Sequence, residues 1–154
     1  MDGSHWADLA QALTLGSRAL RRRIADVTLR HKLTDTEFLF LCYCQREPTP
    51  VVQSQIAVSL GLSPAQVSGI TEKLRTAGLI AVERGVQDRR KQFCLLSEKG
   101  AQLERLLAEE LRQSLPRGGF QMKRLDLERL LELLDHLGRA DVESSDAKSS
   151  KEAA

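Results

Sequence analysis

The segment from Gln53 to Gly78 constrains this chain more than any other. Gln53 to Leu60 reads as a short helix with Ile56, Ala57 and Leu60 turned inward, and Gly61 is placed to close it in the left-handed conformation. Ser63, Pro64 and Gln66 follow as N-cap, first helical residue and third helical residue, so the next helix starts with a full set of signals. Val67, Ile70 and Leu74 mark its buried face, and Gly78 ends it. Two helices joined by a tight glycine-containing turn predict a helix-turn-helix.

The sequence on either side extends the pattern. Trp6, Leu9, Ala10 and Leu13, then Leu20, Ile24 and Val27, predict a helix over about 5–31, weakened at Gly16. Thr34 and Glu37 form a capping box before the apolar run Phe38 to Cys44, and Pro48 and Pro50 stop that helix. Beyond Gly78 the runs Leu79 to Arg84 and Gln92 to Leu96 read as strands, with a polar, basic tip from Gly85 to Lys91 between them. A hairpin behind a helix-turn-helix makes a winged helix. Ser97 caps a long helix with Leu103, Leu106, Leu107 and Leu111 on one face, and Pro116 to Gly119 interrupts it. A last helix carries Leu127, Leu130, Leu131, Leu134 and Leu137, and the composition of 139–154 predicts a disordered tail.

The predicted class is therefore mainly α. A winged helix-turn-helix over 34–97, with a two- to three-stranded β-wing, sits between long helices at 5–31 and 98–138. The 1–138 region forms one domain. Those end helices hold more large apolar residues than the winged module can cover. Burying each is worth roughly 1.5–3 kcal/mol, which predicts a core shared with a second copy of the chain.

Composition excludes several functions. The longest apolar run is seven residues, Phe38 to Cys44, far short of the roughly twenty a membrane helix needs, so no membrane association and a cytoplasmic location are expected. Cys42, Cys44 and Cys94 are an odd set with no CxxC spacing, and buried, inert thiols are the simplest reading. His5, His31 and His136 lie far apart, and HExxH, GxSxG and GxxxxGK[ST] motifs are missing. No enzyme, metal site or cofactor is expected. Lys plus Arg exceeds Asp plus Glu by only 2, so contact with nucleic acid must depend on local charge placement.

Two local features carry that chemistry. On the Ser63 to Ala77 helix, Ala65, Ser68, Gly69, Glu72, Arg75 and Thr76 face away from the buried stripe. Its N-terminal half is slim enough to enter a major groove about 12 Å wide. At the wing, Arg84, Arg89, Arg90 and Lys91 gather four cations around Asp88, which suits a minor groove. A solvated face and a solvated charged turn are the plain alternatives. The basic run Arg18, Arg21, Arg22, Arg23, Arg30 and Lys32 reads mainly as a solvated or salt-bridged face.

Leu62-Ser63-x-x-x-Val67-Ser68, Lys73-Leu74-x-x-x-Gly78-Leu79-Ile80, Asp88-x-Arg90 and Leu96-Ser97-x-Lys99-Gly100 together resemble the MarR family of winged-helix transcriptional regulators, over roughly residues 6–138. The resemblance implies a homodimeric, sequence-specific DNA-binding regulator, commonly a repressor, reading a pseudo-palindromic operator. It implies that Ser63, Pro64, Ala65, Gln66, Ser68 and Gly69 lie at or near the groove, with Arg90 in the minor groove beside Asp88 and Arg89 on phosphate or groove. Lys73, Arg75 and Arg84 complete the expected DNA-contacting set. Gly69 stands where many members carry Arg or Lys, and Gln66 replaces a small hydroxyl residue, so it either reads adenine or serves the capping box. A small-molecule effector is expected between the dimerisation and DNA-binding regions, around His31, Cys42 and Tyr43. The alternative function is a winged-helix protein-interaction module.

Overall fold

The computed structural model describes residues 3–85, 91–115 and 123–137. Helix α1 spans Gly3–Leu29 and runs unbroken through Gly16, whose helical cost of about 1 kcal/mol is too small to split an element of 27 residues. Helices α2 (Asp35–Arg46), α3 (Gln53–Leu60) and α4 (Pro64–Thr76) follow, then strands β2 (Ile80–Arg84) and β3 (Gln92–Leu96) and helix α5 (Glu98–Ser114). Strand β1 is only Val51–Val52. A further helix, α6, covers 124–137. The chain divides into two compact units, Met1–Ser114 and Leu115–Ala154.

The sheet has three strands in the order β1-β3-β2, all antiparallel, with Val51 opposite Cys94 and Val82 opposite the same cysteine on the other side. The residue pattern does not predict β1, because two residues between Pro50 and the start of α3 leave no alternation to read. This short strand makes β3 a central strand and ties the wing to the helix-turn-helix.

The first unit's core is built from Ile24, Val27, Phe40, Leu41, Ile56, Val67, Leu74, Cys94 and Leu107, all nearly or fully buried. Packing of α1 and α2 on α5, and of α4 on β2, sets the winged module against the start of the long C-terminal helix. Arg23 Nη1 donates to the Ser114 carbonyl at 2.8 Å and joins the far end of α5 to α1. Arg21 approaches Asp35 at 3.5 Å and Arg30, just past α1, approaches Glu110 at 3.0 Å, so part of the basic run from Arg18 to Lys32 is salt-bridged. Upstream of Ile24, α1 leaves Trp6, Leu9, Leu15 and Leu20 exposed. In the second unit, α6 leaves Leu127, Leu130, Leu131, Leu134 and Leu137 exposed at helical spacing. The predicted break at 116–119 and the predicted tail over 139–154 lie outside the described residues.

Candidate nucleic-acid interface

The helix-turn-helix is shaped by local chemistry at each junction. Gly61 adopts φ 62° at the end of α3, and its N–H reaches back to the Val58 carbonyl at 3.2 Å. Ser63 Oγ accepts from the Gln66 N–H at 3.3 Å, and Gln66 Oε1 accepts from the Ser63 N–H at 2.9 Å. Gln66 therefore serves the capping box in this structure. Thr34 and Glu37 repeat the motif at the start of α2, at 3.1 and 2.9 Å.

On α4 the buried face is Val67, Thr71 and Leu74, with Ile70 partly buried. Ser63, Pro64, Ala65, Gln66, Ser68 and Gly69 are all exposed, so the six expected groove residues share the solvent side of the first two turns. An added Cβ at Gly69 would meet nothing within 4 Å. The two basic residues of α4 are otherwise engaged. Arg75 grips Glu72 bidentately at 2.7 and 2.9 Å, and Thr76 adds a third contact to that carboxylate. The hydrogen bonds from Arg75 hold the Glu72 carboxyl below its ordinary range. Lys73 Nζ lies 2.7 Å from Glu37 on α2.

The C-terminal end of α4 is clamped by the start of α5. Ser97 Oγ donates to the Gly78 carbonyl, and Lys99 Nζ donates to the Ala77 carbonyl, both at 2.8 Å. The Ser97 N–H donates to the Leu79 carbonyl at 3.0 Å. Gly100 lies so close to that carbonyl that a Cβ would collide with it. In the sequence, Ser97, Lys99 and Gly100 stand out only as parts of a motif. Their role depends on side chains reaching across about twenty residues of chain, which no local pattern reveals.

At the wing, Arg84 is exposed at the end of β2, paired across the ladder with Gln92. The Gly85 N–H donates to the Lys91 carbonyl at 2.9 Å and closes the base of the hairpin. Asp88, Arg89 and Arg90 lie outside the described residues. Below the wing a cleft of about 700 Å³ opens between α3, α4 and β3, with Ser54, Val58, Gly61, Pro64, Lys91 and Gln92 on its walls. Gln53 Nε2 donates to Gln92 Oε1 at 2.9 Å across it.

The three residues expected at an effector pocket have protein partners. His31 Nε2 lies 3.1 Å from Glu110 Oε1, Cys42 Sγ lies 3.7 Å from Glu104, and Tyr43 Oη accepts from Ser59 Oγ at 3.0 Å. Burial, with the nearby Glu104 charge adding to it, pushes the Cys42 thiol up to about 12, and burial does the same at Cys44. Among the described residues no group of His, Cys, Asp and Glu could hold a metal ion. None of the described helices is long and apolar enough to cross a membrane.

Residues 31–91 match the family model described as MarR family. No curated protein sequence matches the chain. Solved structures share the fold over most of their length. A MarR-family transcriptional regulator from Rhodococcus sp. RHA1 is 16% identical with a TM-score of 0.73, over 89% of this chain and 96% of that one. CouR from Rhodococcus jostii RHA1, bound to p-coumaroyl-CoA, is 18% identical with a TM-score of 0.70, over 85% and 92%. Reduced AbfR bound to DNA is 21% identical with a TM-score of 0.65, over 87% and 94%.

Proposed function

We propose that this chain, whose residues 31–91 match the MarR family model, is a transcriptional regulator of that family, a homodimeric repressor reading a pseudo-palindromic operator in double-stranded DNA. The observation that carries the reading is the slim, exposed N-terminal half of α4, from Ser63 to Gly69, held by its own capping box. Such a surface can approach base edges closely, and the unpaired N–H groups of a helix start favour phosphate. Arg84, Asp88, Arg89 and Arg90 supply the wing. AbfR, which shares the fold, has been solved on DNA. A regulator of this kind works in the cytoplasm beside its DNA.

A second copy of the chain covers the apolar faces that α1 and α6 each leave open. Two-fold symmetry then sets two α4 helices on successive major-groove segments. An effector, a small molecule as in the p-coumaroyl-CoA complex of CouR, lowers affinity by favouring a different spacing of those helices.

The test is DNA titration over a series of salt concentrations. Arg90→Ala should weaken binding on every duplex and flatten the dependence of log K on log salt by about 0.9 for each phosphate that is no longer neutralised. Wild-type behaviour of Arg90→Ala would remove the wing from the reading.

One observation favours a second function, a protein-interaction module. Both cations of α4 are paired with carboxylates, Lys73 with Glu37 and Arg75 with Glu72, so the helix itself offers DNA no free positive charge. Salt-insensitive behaviour, with no preferred duplex, would support that alternative.

A further inference from the structure

Glu37 lies on α2, and its carboxylate is withdrawn from water, with only 6% of the side chain exposed. One oxygen, Oε2, accepts from the Thr34 N–H at 2.9 Å and closes the α2 capping box. Lys73 Nζ reaches the same oxygen at 2.9 Å and Oε1 at 2.7 Å. A buried carboxylate without a countercharge is strongly unfavourable, and here the countercharge arrives from α4. Stepping 100° per residue sets Lys73 on the flank of α4, between partly buried Ile70 and exposed Gly69. A tether at that flank restrains rotation of α4 about its own axis. Val67, Thr71 and Leu74 hold the buried face of α4, but without Lys73 the unpaired Glu37 carboxylate would have to regain water, and the flank of α4 beside it would turn aside.

We propose that Lys73 is a positioning residue, which fixes the roll of α4 against α2 by neutralising Glu37 and makes no contact of its own with DNA. The proposal rests on α4 being the DNA-reading helix. It separates Lys73 from the exposed Ser63–Gly69 face and gives the α2 capping box a part in recognition. A roll of α4 would turn Ala65 and Gly69 away from the groove, so leaving Glu37 uncompensated lowers affinity without removing a phosphate contact.

The test uses the full-length chain with Lys73→Met, Glu37→Gln and the double variant. Glu37→Gln keeps an oxygen for the Thr34 N–H, and the double variant removes both charges together. Measured are the urea midpoint, DNA affinity across a salt series, and backbone amide shifts of residues 64–76. Lys73→Met should lower the midpoint and bind about tenfold more weakly with the wild-type salt slope. The double variant should recover to within about threefold of wild-type affinity, because the uncompensated carboxylate is gone.

A slope flattened by about 0.9 in Lys73→Met, unrescued in the double variant, would make Lys73 a phosphate contact and overturn the proposal. If Lys73→Met does not fold, the double variant alone decides by the same slope. If the wild-type protein binds no duplex, the DNA reading fails separately. The tether is then judged by unfolding and spectra. Non-additive midpoints with α4 amide shifts restored in the double variant support it, and additive midpoints with unmoved amides refute it.

Discussion

At Gly69, helix α4, the proposed DNA-reading helix, carries a residue that weakens it and offers no side chain. Space around the position is open, so the glycine is not required by packing. Gly69→Arg should therefore stabilise the protein by about 0.5–1 kcal/mol through helix propensity. It should also tighten DNA binding and steepen the salt slope, since the new cation would face the groove. Titration of duplex at several salt concentrations, beside thermal unfolding, checks both effects. Weaker binding by a stabilised Gly69→Arg would show that close backbone approach at this position matters more than charge. The neighbouring Arg75–Glu72 pair is exposed and local, so it masks a cation more than it supports the fold.

The three cysteines, read from sequence as inert, occupy buried or half-buried positions without a disulfide partner. Desolvation raises Cys42 and Cys44 to about 12, so both remain thiols at neutral pH. Alkylation by iodoacetamide at pH 8 should be slow in the folded protein and fast in urea. The sign of the pH effect follows from the raised folded-state values. The unfolded chain loses these protons first, so stability is intact below the ordinary thiol value of 9.0 and falls as pH rises toward about 12. Urea midpoints measured between pH 8 and 11 should decline. A flat profile would remove burial as the cause.

At the scale of elements, local signals were legible in the sequence and long-range ones were not. The capping boxes at Thr34–Glu37 and Ser63–Gln66, and the left-handed Gly61 and Gly78, occur where the residue pattern placed them. Each is decided within four residues of chain. Strand β1 escaped because two residues carry no periodicity, and the partners of Lys73 and Arg75 escaped because exposed basic residues on a helix look alike in sequence. The Ser97–Lys99–Gly100 clamp escaped because it joins the start of α5 to the end of α4 through backbone carbonyls. That clamp makes a sharp demand on one position. Gly100→Ala would drive a methyl into the Leu79 carbonyl, and the cost should be about 1–3 kcal/mol. Thermal or urea unfolding measures it, and a neutral result would show that α5 can slide from α4. Helix α5 thus carries this clamp on the end of α4 and also packs on α1.

At the scale of the whole molecule, the charge balance of only +2 and the paired cations of α4 mean that affinity must be concentrated in few contacts. Duplication by two-fold symmetry is the economical way to reach specificity from such a small reading surface. The exposed leucines of α6 and the exposed Trp6, Leu9, Leu15 and Leu20 of α1 are the apolar area available to the proposed dimer. The measurement that tests this most directly is selection of duplexes by the full-length protein from a randomised pool near physiological salt, with the stoichiometry of the selected complex. The expected product is a two-fold-symmetric site with half-sites about 10 base pairs apart, bound by two chains. No enrichment by a folded, dimeric protein, or an asymmetric site held by one chain, would contradict it.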